Sequence, residues 1–146
     1  MTCLAPCRTV SRHSDGMPTS EPMSLSAMGN FKQLSVWKRA HSFALEVHRC
    51  TSSFPVSERY GLAAQMRRAA VSVVSNIAEG CGRHHDRELA YFLRIARGSV
   101  REVECQLLLS RDLGYVAQDV WTTMDATAQE ISKMLFSFAS MVRGRS

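Results

Sequence analysis

From Leu34 onward the chain repeats one pattern: apolar residues three and four apart, with polar residues between them. That is the period of an amphipathic helix. Val36, Ala40, Phe43, Val47, Cys50 and Phe54 make the first apolar seam and predict a helix from about Ser35 to Ser53. Phe54-Pro55 ends it, because the residue before proline avoids helical dihedrals. Ser57 is then placed to cap a second helix, with Glu58 as an acid in its first turn. This helix is expected from about Glu58 to Glu79, along Leu62, Met66, Ala69, Val73 and Ile77. It is dense in small residues (Ala63, Ala64, Ala69, Ala70, Ser72, Ser75 and Ala78), which let a neighbouring backbone come close. Gly80-Cys81-Gly82 stops it, glycine being favoured just past a helix end.

A third helix is expected from about Asp86 to Asp112, along Leu89, Leu93, Ala96, Val100, Val103 and Leu107, with Gly114 closing it. A fourth runs from about Gln118 to Val142, along Val120, Met124, Thr127, Ile131, Leu135, Phe138 and Val142. No segment alternates with period two, so no strand is expected. Four helices on short loops each have one stripe to bury, which predicts an all-α, antiparallel up-down-up-down four-helix bundle over residues 31–146. Residues 1–30 lack this periodicity and hold three of the four prolines and no aromatic residue. They read as a disordered tail or a mis-annotated extension, Met28 offering an alternative start.

Charge sharpens the picture. Lys and Arg number 18 against 13 Asp and Glu, a net +5. Asp15 and Glu21 cancel the two arginines of the first 30 residues, so the excess belongs to the helices. Such a balance permits a polyanionic partner without requiring one. No apolar stretch reaches the roughly 20 residues of a membrane helix, so no membrane partner is expected. Cys3, Cys7, Cys50, Cys81 and Cys105 are odd in number and irregularly spaced, with no signal-peptide core ahead of them. That predicts free thiols in a cytoplasmic setting. Cys50 and Cys105 fall on or beside apolar positions.

Arg87, Arg94, Arg97 and Arg101 fall within an arc of about 80° on the third helix and run about 21 Å along it. The centre of the apolar seam lies more than about 100° from the centre of that arc. Arg83 and His84-His85 extend the patch into the loop. Four guanidiniums on one face suit the oxygens of nucleic-acid phosphates. The same residues also suit ion pairs: Arg101 with Glu104, Arg97 with Glu104, or pairs between subunits. Arg67 and Arg68 are placed to pair with Glu102 or Glu104 on the antiparallel neighbour, where such pairs set register. Asn76, at the border of an apolar face, is a second register candidate. Glu79 stands near a helix end, where the dipole disfavours a carboxylate, and calls for a partner such as Arg83 or a loop amide.

Enzymatic chemistry has little to stand on. Only Asn76, Glu79, Glu102 and His41 are available to converge. A di-iron bundle needs Glu-x-x-His, and Glu46-Val47-His48 has the wrong spacing. His41 and His48 read as surface or seam residues. Cys3 and Cys7 lack a second ligand pair, and no phosphate-cradling loop follows a strand. No catalytic residue, metal or cofactor is expected.

Particular strings carry more. Tyr60-Gly61-Leu62, Gln65-Met66-Arg67-Arg68-Ala69-Ala70-Val71-Ser72, Ser75-Asn76-Ile77-Ala78-Glu79-Gly80 and Gly82-Arg83 occur in order. Phe92-Leu93-Arg94-Ile95-Ala96, Gly98-Ser99, Glu102, Glu104, Gln106-Leu107 and Leu113-Gly114-Tyr115 follow them. With the opening Phe31 and Leu34-Ser35-Val36-Trp37-Lys38-Arg39-Ala40, this sequence resembles the 23S rRNA-intervening-sequence family of four-helix bundles. The resemblance is detailed over about 31–116 and holds by pattern in the fourth helix. It departs at Cys81, where the family often has an aromatic residue, at Ala117 and at His84-His85-Asp86. It implies a bacterial cytoplasmic protein assembled as a pentameric ring, with no established enzymatic activity. The accessory variability protein of diversity-generating retroelements, which partners a reverse transcriptase and nucleic acid, resembles this fold.

Together these readings predict a non-catalytic homo-oligomer that contacts RNA or DNA through Arg83, Arg87, Arg94, Arg97 and Arg101. The alternative is a protein-protein scaffold or accessory subunit without nucleic-acid contact, using the small-residue face of the second helix and the apolar seams.

Overall fold

The structure is a computed structural model and describes residues 29–145. The tail assigned to residues 1–30 therefore lies almost entirely outside the described residues. Four α-helices follow one another: α1 (Ser35–Thr51), α2 (Leu62–Cys81), α3 (Asp86–Asp112) and α4 (Gln118–Arg143). Single 3-10 turns, Phe31–Gln33 and Val56–Glu58, precede α1 and α2. There is no strand among the described residues.

The helices pack in cyclic order, α1 on α2, α2 on α3, α3 on α4 and α4 back on α1. Cross-helix contacts give the direction. Met66 meets Ser110 and Ser72 meets Ser99, so positions rise on α2 as they fall on α3. Arg97 meets Ser132 and Arg111 meets Trp121, so α3 and α4 are antiparallel as well. This is the expected up-down arrangement. Every residue of the α3 and α4 seams is buried, as is every residue of the α1 seam. On α2, Met66, Ala69, Val73 and Ile77 are buried and Leu62 packs at the edge.

α2 begins a turn later than the pattern suggested, and Ser57 does not cap it. The chain spends Val56–Glu58 in a 3-10 turn and enters the helix after Gly61. Glu58 caps by reaching forward: its Oε2 accepts from the Leu62 amide at 3.0 Å. Its Oε1 accepts from the Tyr115 hydroxyl at 3.2 Å, tying this corner to the α3–α4 loop. Burial and the neighbouring carboxylate raise the Tyr115 phenol above its ordinary value. α1 stops at Thr51 because hydroxyls satisfy its last carbonyls. Thr51 Oγ1 donates to Val47 O at 2.8 Å, Ser52 Oγ to His48 O at 2.8 Å and Ser53 Oγ to Cys50 O at 2.9 Å. Gly114 turns the chain out of α3 at φ +79°, the left-handed region that glycine enters at no steric cost.

The small residues of α2 serve the chain itself. Ala63, Ala69, Ala70 and Gly80 are buried inside the bundle, which leaves less of that face for a partner than the sequence suggested. Cys105 is also not where the seam placed it: it is exposed, whereas Cys50 and Cys81 are buried. Burial pushes the Cys81 thiol up to about 11.

Gly80 marks a close approach of α2 to α3. A Cβ there would stand 3.0 Å from Leu89 Cδ1 and 3.0 Å from the Phe92 Cβ, while at Gly98 it would meet nothing within 4 Å. Gly80→Ala should therefore destabilise by about 1–3 kcal/mol through overpacking. Gly98→Ala should stabilise by up to about 1 kcal/mol through helix propensity. Urea unfolding of the two variants checks both signs. Alkylation near pH 8, mapped by mass spectrometry, should label Cys105 readily and Cys81 slowly, because the thiolate is the reacting species.

Candidate nucleic-acid interface

α3 carries the expected basic residues and has favourable ends. Asp86 and Glu88 lie in its first turn and Arg111 in its last, each sign suited to the helix dipole. The arginines do not form one uniform row. Arg87 and Arg94 are exposed, Arg97 is half-buried and Arg101 is exposed. α3 is buried against both α2 and α4, so its covered arc is wider than its apolar seam. That wider arc takes in Arg97, which the angular count had placed on the open side.

Each guanidinium has a different setting. The Arg94 guanidinium carbon lies 6.0 Å from the ring centre of Tyr91, which is 53% exposed. Arg97 donates from Nε to Ser132 Oγ at 3.3 Å and stands 5.0 Å over the ring of Phe136, itself 52% exposed. Arg97 does not pair with Glu104. Arg101 takes that carboxylate, Nη1 to Oε2 at 2.7 Å. Arg83 pairs with Glu79, as the position of that acid demanded, and lies 5.0 Å over Phe92. Of these five arginines, Arg87, Arg94 and Arg97 enter none of the ion pairs among the described residues.

These settings rank the arginines as phosphate ligands. The Glu104 side chain is only 11% exposed, and its Oε1 is buried without a hydrogen bond. If Arg101 left, a nearly buried charge would be stranded, so Arg101 is bound to its own helix. The Arg83–Glu79 pair is open to water on both sides and worth at most about 1 kcal/mol, so a phosphate can displace it. Arg94 and Arg97 have only neutral partners, and their charge is available.

α4 supplies residues that sequence reasoning missed. Arg97, Arg101, Gln129, Ser132, Lys133, Phe136 and Ser137 line a groove of about 430 Å³ between α3 and α4, with no carboxylate in its lining. Lys133 and Phe136 flank the α4 seam, and only the pairing of Arg97 with Ser132 brings them to the stripe. Glu130, nearby in sequence, is turned away to α1. There it accepts from Arg39 Nε at 2.9 Å, and Arg39 Nη2 reaches Thr127 Oγ1 at 3.2 Å.

The register residues fall differently. Arg67 does not meet Glu102 or Glu104. It turns to α1, donating from Nε to Thr51 Oγ1 at 2.8 Å and from Nη2 to Ser52 Oγ at 3.4 Å. Arg68 and Glu102 line a shallow α2–α3 groove without an ion pair between them. Asn76 bonds within its own helix, to Ser72 O at 2.8 Å and Ser72 Oγ at 3.0 Å. The cross-helix link there is the pair of hydroxyls Ser72 and Ser99, 2.8 Å apart. Short serine side chains meet across this seam, and the longer Arg68 and Glu102 line the groove beside it.

His41 stacks on Trp37 with ring centres 4.9 Å apart. No group of three potential metal ligands occurs among the described residues. No helix among them is long and apolar enough to cross a membrane.

Fold and surface together define a four-helix bundle with an arginine-rich, aromatic-bearing face on α3 and α4. The family model described as 23S rRNA-intervening sequence protein matches residues 32–137, and the chain belongs to that family. A solved structure from Bacteroides thetaiotaomicron, described as a protein with unknown function from the S23 ribosomal protein family, is similar in fold. It aligns with a TM-score of 0.67 at 21% identity, over 72% of this chain and 95% of that one. No curated protein matches the chain.

The Arg101–Glu104 pair generates a stability prediction. Arg101→Ala should cost about 1–2 kcal/mol, the loss being limited by the exposure of the arginine. Adding Glu104→Gln should recover much of it by removing the stranded charge. Chemical denaturation of the single and double variants checks this.

Proposed function

We propose that this protein is a non-catalytic, oligomeric helical bundle of the bacterial cytoplasm that contacts RNA or DNA phosphates through the α3–α4 face. The observation that carries the reading is the groove of Arg97, Arg101 and Lys133, with no carboxylate in its lining, together with Arg94 one turn before Arg97 on α3 and the exposed rings of Tyr91 and Phe136 beside the guanidiniums. Arginine grips phosphate oxygens in a fork, and an exposed ring beside it offers a surface on which an unpaired base stacks. Arg94, Arg97 and Lys133 are the main contacts. Arg83 and Arg87 extend the track towards the α2–α3 loop, and Arg101 lines it while serving Glu104. The pentameric ring implied by the family resemblance would repeat this patch, so that several weak contacts act together.

The scaffold reading has its own support in Leu109 and Leu113, one turn apart and 48% and 49% exposed at the C-terminal end of α3. Apolar side chains grouped on a surface favour contact with another copy or an accessory enzyme. That reading is compatible with a ring and makes nucleic-acid contact unnecessary.

Titration with single-stranded and duplex RNA and DNA at several salt concentrations separates the two. Log affinity should fall linearly with log salt, by about 0.7 to 0.9 for each phosphate neutralised. Arg94→Ala/Arg97→Ala should weaken binding about tenfold or more at low salt and flatten the slope by about 1.4 to 1.8. Absence of binding at low salt would leave the scaffold reading. Light scattering of the same samples reports whether the protein is a ring or a monomer.

A further inference from the structure

A second basic feature lies away from the α3–α4 face, at the corner where α1 ends and α2 begins. Thr51, Ser52, Phe54, Pro55, Val56, Arg59, Ala63 and Arg67 line a cavity of about 290 Å³ there. Two guanidiniums share this cavity, and no carboxylate lines it. We propose that the corner is a binding site for a single phosphate monoester, held by Arg67 and Arg59.

The geometry of Arg67 is the first reason. It is half-buried and fixed on one edge by hydroxyl oxygens, Nε to Thr51 at 2.8 Å and Nη2 to Ser52 at 3.4 Å. Those hydroxyls are neutral acceptors whose own protons go to Val47 O and His48 O. The guanidinium is thus held rigidly, its charge is not cancelled, and its remaining N–H donors are left for a ligand.

The acid nearest in sequence is engaged elsewhere. Glu58 gives one oxygen to the Leu62 amide and the other to Tyr115. The negative end of the α1 dipole, about half a charge, offsets Arg67 only in part. Arg59 remains, exposed beside the same cavity and in no ion pair among the described residues. Two like charges at one cavity repel each other, and a dianion removes that cost. A monoester phosphate carries nearly two charges near neutral pH, whereas a carboxylate carries one. The cavity has room for roughly ten waters at about 30 Å³ each, ample for a phosphate group and too small for a duplex.

The test is a ³¹P NMR titration of the full chain with inorganic phosphate at low ionic strength. Saturable line broadening is expected for the native chain. Arg59→Ala, at an exposed position, should weaken it about tenfold while leaving the circular dichroism unchanged. Arg67→Lys, which keeps the charge but loses the fork, should weaken it similarly. Arg143→Ala, an exposed cation at the far end of α4, should leave it unaltered. Non-saturable binding, equal binding by Arg59→Ala, or equal loss in Arg143→Ala overturns the proposal, as does displacement of phosphate by equimolar acetate. Competing oligonucleotides identify the source. Displacement by a 5′-phosphorylated strand but not its 5′-hydroxyl twin assigns the site to nucleic-acid ends, and displacement by neither assigns it to a small phosphate metabolite. Equal displacement by both would mean backbone phosphodiester and overturn the monoester assignment. The α3–α4 face contributes no residue to this cavity, so the two sites stand or fall separately.

Discussion

Burial of α3 on two sides organises the rest of the molecule. A helix in a bundle hides one stripe, but α3 packs against both α2 and α4 along most of its length. Its approach to α2 is close enough that a Cβ at Gly80 would crowd Leu89 and Phe92, and further along the Ser72 and Ser99 hydroxyls meet at 2.8 Å. On the α4 side the contact takes long side chains laid over aromatic rings. Arg97 over Phe136 and Arg111 over Trp121, the latter at 4.3 Å, are part of that packing. The two flanks of α3 therefore differ in charge: on the α2 side Arg68 shares its groove with Glu102, and on the α4 side Arg97, Arg101 and Lys133 line a groove without a carboxylate.

The helices were legible because one periodicity ran through the chain with clear stops at Pro55, Gly82 and Gly114. The start of α2 was less so. Ser57 and Glu58 looked like a cap and a first-turn acid, yet the acid itself caps, from outside the helix and with help from Tyr115 across the fold. A side chain that reaches forward one turn leaves the same local signature as one that belongs to the helix. The misplacement of Cys105 has a related cause: a residue beside a seam faces solvent or neighbour depending on helix rotation, which a seam alone leaves open.

The basic surface was legible in part. Angular spacing found the arginines of α3 but treated each as equal, because charge partners on other helices are set by tertiary register. Arg67 shows the same limit. Its expected partners Glu102 and Glu104 lie on α3, and it turns instead to hydroxyls at the end of α1. Lys133 and Phe136 were invisible as site residues for the complementary reason. They are ordinary flanking positions of α4 until Ser132 is set opposite Arg97.

What distinguishes the arginines of this chain is the kind of partner each has. Arg39, Arg83, Arg101, Arg111 and Arg145 face carboxylates of the same chain. Arg67, Arg94 and Arg97 are held by hydroxyls and aromatic faces. A carboxylate fixes a guanidinium and cancels its field, whereas a hydroxyl or a ring fixes it and leaves the field intact. A side chain that is ordered yet uncancelled loses little further conformational entropy when an anion arrives, which is the condition for binding phosphate by preorganisation. The net charge of +5 is therefore less informative than its placement. Within this bundle Arg97 and Arg67 each stand at a concavity without a carboxylate in its lining, the α3–α4 groove and the α1–α2 corner, and these are the two places proposed above for phosphate.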